Sequence, residues 1–162
     1  MAASDDELSL SATNLEKKMK STPALQGLTM RFAAGRLHGI IGPEGAGKTT
    51  FLRTIMGLLK PDAGEIKYFK NDQAVELADI REQVAYMPQT QSLYAELSIH
   101  EHLEFFRILH KLTDQEYHER RQRLLQITRL EEFVDRPAGQ LSGGMYKKLG
   151  LICALLSAPR LL

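Results

Sequence analysis

The sequence contains no tryptophan, a single cysteine, and almost no net charge, with 21 basic against 20 acidic side chains in 162 residues. Each shortage excludes something. One cysteine cannot form a disulfide within the chain, which fits a reducing compartment. Cys153 lies in an apolar stretch and reads as a buried small hydrophobe rather than a catalytic thiol. A formal charge of +1 supplies no basic field, so nucleic acid is not expected as a partner. The densest basic run, Arg120-Arg121-Gln122-Arg123, follows Glu116 and Glu119 and reads as a solvated helix face. The longest apolar run, Leu149 to Ala158, falls far short of the ~20 residues a membrane-spanning helix needs. Any link to a membrane would then pass through another protein. The start, Met1 to Glu7, is acidic and polar, without the basic head and apolar middle of a signal peptide. Residues 1–7 read as a disordered lead-in.

What is present is ordinary globular composition, 43% hydrophobic and 25% charged, in one domain's worth of chain. Leu8 to Leu15 and Leu25 to Phe32 alternate like strands, separated by a polar stretch from Lys17 to Pro23. Ala34-Gly35 reads as a turn into a short apolar strand, Leu37 to Ile41. A helix is expected from Lys48 to Leu58, closed by Lys60-Pro61-Asp62-Ala63-Gly64. Glu65 to Phe69 and Ala74 to Leu77 suggest a hairpin around Asn71-Asp72, and Val84 to Met87 a further strand. From Ser98 to Val134 the pattern is helical, with Leu103, Phe106, Leu109 and Leu112 as one stripe and Leu124, Leu125 and Ile127 in a second helix. A last helix is expected to end at Leu156.

The glycines and lysine are concentrated where they carry chemistry. Gly42-Pro43-Glu44-Gly45-Ala46-Gly47-Lys48-Thr49 matches the P-loop pattern, between an apolar segment and a helical one. Polyphosphate requires convergent donors, close backbone approach and a countercharge. Glycines at 42, 45 and 47 let backbone N–H groups converge with no Cβ in the way. The helix that follows adds about half a positive charge at its N-terminus. Lys48 would reach the β- and γ-phosphates, the Thr49 hydroxyl would ligate Mg²⁺, and Thr50 would help at the α-phosphate. A glycine-rich turn that merely precedes a lysine is the bland alternative, and it leaves the flanking strand–helix context unexplained.

A second motif narrows the field. Leu141-Ser142-Gly143-Gly144-Met145, read with the P-loop, resembles the signature of ABC transporter ATP-binding domains. The resemblance runs through Asn14-Leu15-Glu16-Lys17, Gly39-Ile40-Ile41-Gly42, Gly57 to Gly64, Tyr86-Met87-Pro88-Gln89, and Met145 to Leu162. The Gly-Gly-Met sequence and the Lys-Lys-Leu-Gly-Leu helix after it look like drug-efflux ATP-binding subunits of the YbhF type, which work with ABC-2-type membrane subunits.

This resemblance implies an α/β fold of the P-loop NTPase kind. An N-terminal antiparallel β-subdomain, a mainly parallel but incomplete core sheet, and an inserted helical subdomain are expected. Residues 8–162 would be the N-terminal portion of one such domain. Within it, 8–97 would hold the β-subdomain and P-loop core, 98–144 the helical subdomain with the signature, and 145–162 the signature helix and the start of the next strand.

The resemblance also implies roles. ATP and Mg²⁺ would be bound by Gly42 through Thr50. Gln89 would join the Mg²⁺ and water shell as the catalytic-site residue of its loop and relay nucleotide state to a membrane partner. Leu141, Ser142, Gly143, Gly144 and Met145 would meet the ATP held by a second, head-to-tail ATP-binding domain. The expected function is ATP-driven export, with drug or xenobiotic efflux as the finer reading. The chain would sit on the cytoplasmic face of the membrane through a polytopic permease. A soluble ABC ATPase acting on ribosomes or DNA, and a nucleotide-binding fragment without hydrolysis, are the alternatives.

Several residues depart from the family pattern. Met19 stands where an aromatic ring usually stacks on adenine, Glu44 at a variable loop position expected to face solvent, and Met145 in place of glutamine. The aspartate and glutamate that follow the signature in the family have no counterpart in these 162 residues. The helical-region histidines, His100, His102, His110 and His118, do not replace them and read as solvated surface side chains.

Overall fold

The computed structural model describes residues 7–90 and 92–162, and the chain divides into two compact units, one ending at Arg81 and the other beginning at Glu82. The expected lead-in over residues 1–6 lies outside the described residues. Glu7 does not belong to it, because its N–H donates to Asn71 Oδ1 at 2.9 Å and its carbonyl accepts from Asn71 N–H.

The first unit is built on a four-stranded antiparallel sheet in the order β2-β1-β3-β4. Strand β1 spans Leu8–Met19 and β2 Thr22–Phe32. Both are longer than expected from alternation. The polar stretch from Lys17 to Pro23 is mostly strand, and only Lys20-Ser21 turns, with Lys20 at φ 57°. Cross-strand pairing satisfies the backbone there and overrides the polar side chains. β1 is irregular near Asn14, and Asp62 braces the strand beyond it. The Asp62 carboxylate accepts from Lys17 Nζ and from Lys18 N–H, both at 2.7 Å. These bonds, Lys17 first, hold the carboxyl below its ordinary range.

Strand β3 (Ala63–Lys70) and β4 (Gln73–Val75) form the expected hairpin. Asn71 and Asp72 both take positive φ, 50° and 62°, the geometry of a tight two-residue turn. Helix α1 covers Lys48–Ile55, shorter than expected. Gly57 sits at φ +68° and ends the helical winding before Leu58. Phe51 stacks on Phe32 at 6.0 Å, and buried Tyr68 donates its hydroxyl to the Ile55 carbonyl at 2.6 Å. These two links fix α1 against the sheet.

Leu37 to Ile41 does not form a strand. Leu37 is 102% and Ile41 98% exposed, and the segment has no ladder partner among the described residues. An apolar extended segment becomes a strand only when a neighbour accepts its backbone bonds. Val84 to Met87 shows the same dependence. It is reduced to one parallel bridge, Val84 to Leu161, in which Ala85 N–H donates to Leu161 O at 2.8 Å. That bridge is the only parallel pairing among the described residues.

The second unit is helical. Helix α2 covers Ile99–Leu109, α3 Asp114–Thr128 and α4 Gly143–Leu155. Ser98 with Glu101 and Thr113 with Glu116 form capping boxes that begin α2 and α3. Ile99, Leu103, Tyr117, Leu125, Leu149, Ile152 and Leu156 make the core. The apolar stripe is narrower than expected, since Leu109 and Ile127 are exposed. The basic run on α3 is not wholly solvated. Arg120 bridges Glu116 and the Leu156 carbonyl, which ties α3 to the end of α4.

Candidate nucleotide site

The P-loop residues lie together in the first unit, between Ile41 and α1. Gly45 and Gly47 take φ +77° and +82°, values that L side chains rarely adopt. Gly47 serves a second purpose. A Cβ there would fall well inside 3.0 Å of the Ala24 carbonyl oxygen and within 3.3 Å of the Leu25 side chain. The turn end of β2 thus lies directly behind the loop.

Gly47 is the N-cap of α1 and offers no side-chain hydrogen bond. The first helix amides therefore face outward without a side-chain acceptor, which is the condition for binding an anion. Lys48 folds back over the loop, with Nζ donating to Gly42 O at 2.8 Å and Pro43 O at 2.6 Å. Its charge is thereby held above the ring of glycines. Thr49 is exposed and Thr50 half-buried. Glu44 is exposed as expected, so its carboxylate stays hydrated. Polyphosphate fits this arrangement of uncapped amides, a held ammonium and glycines at 42, 45 and 47.

The other expected residues belong to the second unit. Ser142 is the N-cap of α4, and its hydroxyl accepts from Met145 N–H at 3.3 Å. Gly143 and Gly144 are exposed, with nothing within 4 Å of a Cβ built on either. Leu141 and Met145 are half-buried and pack on the helical core. Gln89 and Gly143, far apart in sequence, line one cavity of about 190 Å³ together with Tyr86, Leu93, Tyr146 and Cys153. No group of three His, Cys, Asp or Glu side chains suited to a metal occurs among the described residues. Thr49 belongs to the first unit and Gln89 to the second.

Two residues beside this cavity were not legible as functional. Tyr146 places its hydroxyl 2.8 Å from Leu93 N–H, as acceptor, and 3.4 Å from Leu93 O. His102 is not a surface side chain, as the sequence suggested. It is fully buried, with Nε2 accepting from Tyr94 N–H at 3.1 Å and Nδ1 2.8 Å from Ser98 O. Those partners require the proton on Nδ1. No short-range pattern signals either amide contact, since Tyr94 lies 8 residues from His102 and Leu93 lies 53 from Tyr146. Cys153 is buried as expected, and burial pushes its thiol up to about 12.

Comparison with known proteins follows the same motifs. The ABC transporter family model matches residues 25–162. The probable multidrug ABC transporter ATP-binding protein YbhF of Escherichia coli is 38% identical over 155 residues, which is 94% of this chain and 27% of that protein. The daunorubicin resistance ATP-binding protein DrrA3 of Streptomyces coeruleorubidus is 35% identical over 96% of this chain and 49% of its own. Among solved structures, an ATP-binding subunit of an ABC transporter superposes with a TM-score of 0.78 at 34% identity, over 93% of this chain and 62% of that one. The ADP conformation of MJ1267, an ATP-binding cassette, gives 0.75 at 25% identity, over 94% and 66%. The chain thus spans about a quarter to a half of these curated relatives. Among the described residues no helix is long and apolar enough to cross a membrane.

Proposed function

This chain belongs to the ABC transporter family, and on that premise we propose that it is the nucleotide-binding part of an ATP-driven exporter. The observation that carries the reading is the P-loop itself, where uncapped α1 amides and Lys48 converge on one open cradle. Gly42 through Thr50 bind the triphosphate of ATP. Lys48 exchanges the Gly42 and Pro43 carbonyls for the β- and γ-phosphates. Thr49 and Gln89 would each offer an oxygen to Mg²⁺, whose chemistry there would be to screen phosphate charge.

Leu141 to Met145 serve the other half of a paired site. Ser142 and the amides at the start of α4 receive the γ-phosphate held by the P-loop of a second, head-to-tail domain. Gln89 reports that state to a polytopic permease of the ABC-2 type, on the cytoplasmic face of the membrane. Drug or xenobiotic efflux is the transported class supported by the likeness to the multidrug and daunorubicin-resistance proteins.

Binding of a fluorescent ATP analogue to the intact protein and to Lys48→Ala tests the reading. Removal of the ammonium should abolish measurable binding. Unchanged affinity would overturn the P-loop assignment. Ser142→Arg should bind nucleotide normally and fail to pair in ATP, and normal pairing would remove the signature role.

A further inference from the structure

The segment that follows Gln89 has no strand or helix among its described residues, yet Leu93, Tyr94, Ala95 and Leu97 are each bonded to other parts of the second unit. Tyr146 of α4 takes Leu93 N–H. His102 of α2 takes Tyr94 N–H. Gly139 N–H donates to Ala95 O and Ala138 N–H to Leu97 O, both at 2.8 Å. Ser98 forms a bridge with Pro137. Gly139 also fits closely, since a Cβ there would lie 3.1 Å from Ala95 O. The residues just before the signature and the residues just after Gln89 therefore clasp each other.

Within this clasp two bonds differ in kind, those accepted by the side chains of Tyr146 and His102. The Ala138, Gly139 and Pro137 links are made by backbone and need no side-chain donor or acceptor. The Leu93 link depends on a single phenol that emerges from the first turn of α4, one residue beyond Met145. Tyr146 both accepts from Leu93 N–H and lies in reach of Leu93 O, so it stands in for a strand partner. Its ring walls the cavity that also contains Gln89 and Gly143. His102 fixes the next amide, and its other nitrogen is anchored on Ser98 O, the carbonyl of the α2 cap.

We propose that Tyr146, assisted by His102, is a positioning residue that makes the Gln89 segment move together with the Ser142 helix. It rests on the reading of the chain as an ABC ATPase. When a γ-phosphate engages the start of α4, the displacement reaches Leu93 through one hydroxyl. Gln89, four residues upstream, is then carried with it. Without the hydroxyl, phosphate still binds, but α4 and the Gln89 segment lose their direct bond. The consequence is a loss of turnover at unchanged nucleotide affinity.

Tyr146→Phe in the intact protein is the test, because it deletes the hydroxyl and keeps the ring. Two readouts are needed. Amide hydrogen exchange over residues 92–97 should speed up about fivefold, as expected for one neutral hydrogen bond. ATPase kcat should fall by a similar factor, with KM for ATP nearly unchanged and the melting temperature lowered by only about 2–4 °C. His102→Gln should speed exchange over the same residues, and Tyr94 most. Unaltered exchange in Tyr146→Phe would overturn the proposed bond. Faster exchange with wild-type kcat would overturn the coupling and leave only a structural tie. A wild-type protein that binds no ATP would instead overturn the proposed function, which the exchange readout does not depend on.

Discussion

Gly45 and Gly47 both hold left-handed backbone in the same loop, but only one is crowded, and the difference can be measured. A Cβ at Gly45 meets nothing within 4 Å, so Gly45→Ala carries only backbone strain, about 1–2 kcal/mol. At Gly47 the same strain is joined by overlap with the Ala24 carbonyl, a backbone atom of β2. The loop must retreat by roughly 1 Å to regain van der Waals spacing. That retreat swings the first amides of α1 away from the cradle. Each phosphate bond so lost is worth about 1.5–3 kcal/mol, or roughly 10- to 100-fold in Kd. Urea unfolding without nucleotide and titration with an ATP analogue separate the two effects. Gly47→Ala should lose more stability than Gly45→Ala and bind at least tenfold more weakly than it does. Equal behaviour of the two variants would refute the claim that β2 sets the position of the P-loop.

The remaining predictions concern packing, caps and titration. Tyr68→Phe leaves the Ile55 carbonyl without its buried donor and should cost about 1–1.5 kcal/mol in denaturant unfolding. Ser142→Ala removes the N-cap of α4 and should lower nucleotide-free stability by about 1 kcal/mol, measured by the same method. The Cys153 thiol is raised to about 12 by burial, so the unfolded chain ionises first. Its contribution is intact below the ordinary thiol range and is lost as pH rises toward 12. Between about pH 9 and 10 this loss precedes that of Tyr117, whose phenol is also pushed up to about 12, chiefly by burial. Cys153→Ala should therefore flatten the melting temperature against pH between 9 and 10. Native Cys153 should also react with a thiol reagent at pH 8 far more slowly than in denaturant.

Much of the second unit was readable because its information is local. The helical pattern was placed from Ser98, where the structure begins α2; the equally local Thr113–Glu116 box that begins α3 was not read. Asn71-Asp72 announces a hairpin for the same reason: the turn requires left-handed backbone that Asn and Asp tolerate. His102 was misread because its surroundings come from elsewhere. Its spacing on α2 gives no sign that Tyr94 will donate to it. The basic run on α3 was half-misread for a similar reason, as Arg120 finds an acceptor at Leu156, beyond the reach of local pattern.

The P-loop, the signature and the family follow from residue order alone, since a phosphate cradle is written in consecutive glycines and a following lysine. The antiparallel hairpins and the capped helices follow as well, because turns and caps are settled by neighbours a few residues away. Packing decided the rest. Leu37 to Ile41 has the composition of a strand and is not one, for want of a partner to take its backbone bonds. Gln89 and Gly143 reach the same cavity, and Tyr146 reaches Leu93, only because α4 folds back beside the segment before α2. Such meetings depend on which surfaces exclude water together, a property of the whole fold that no short window of sequence contains.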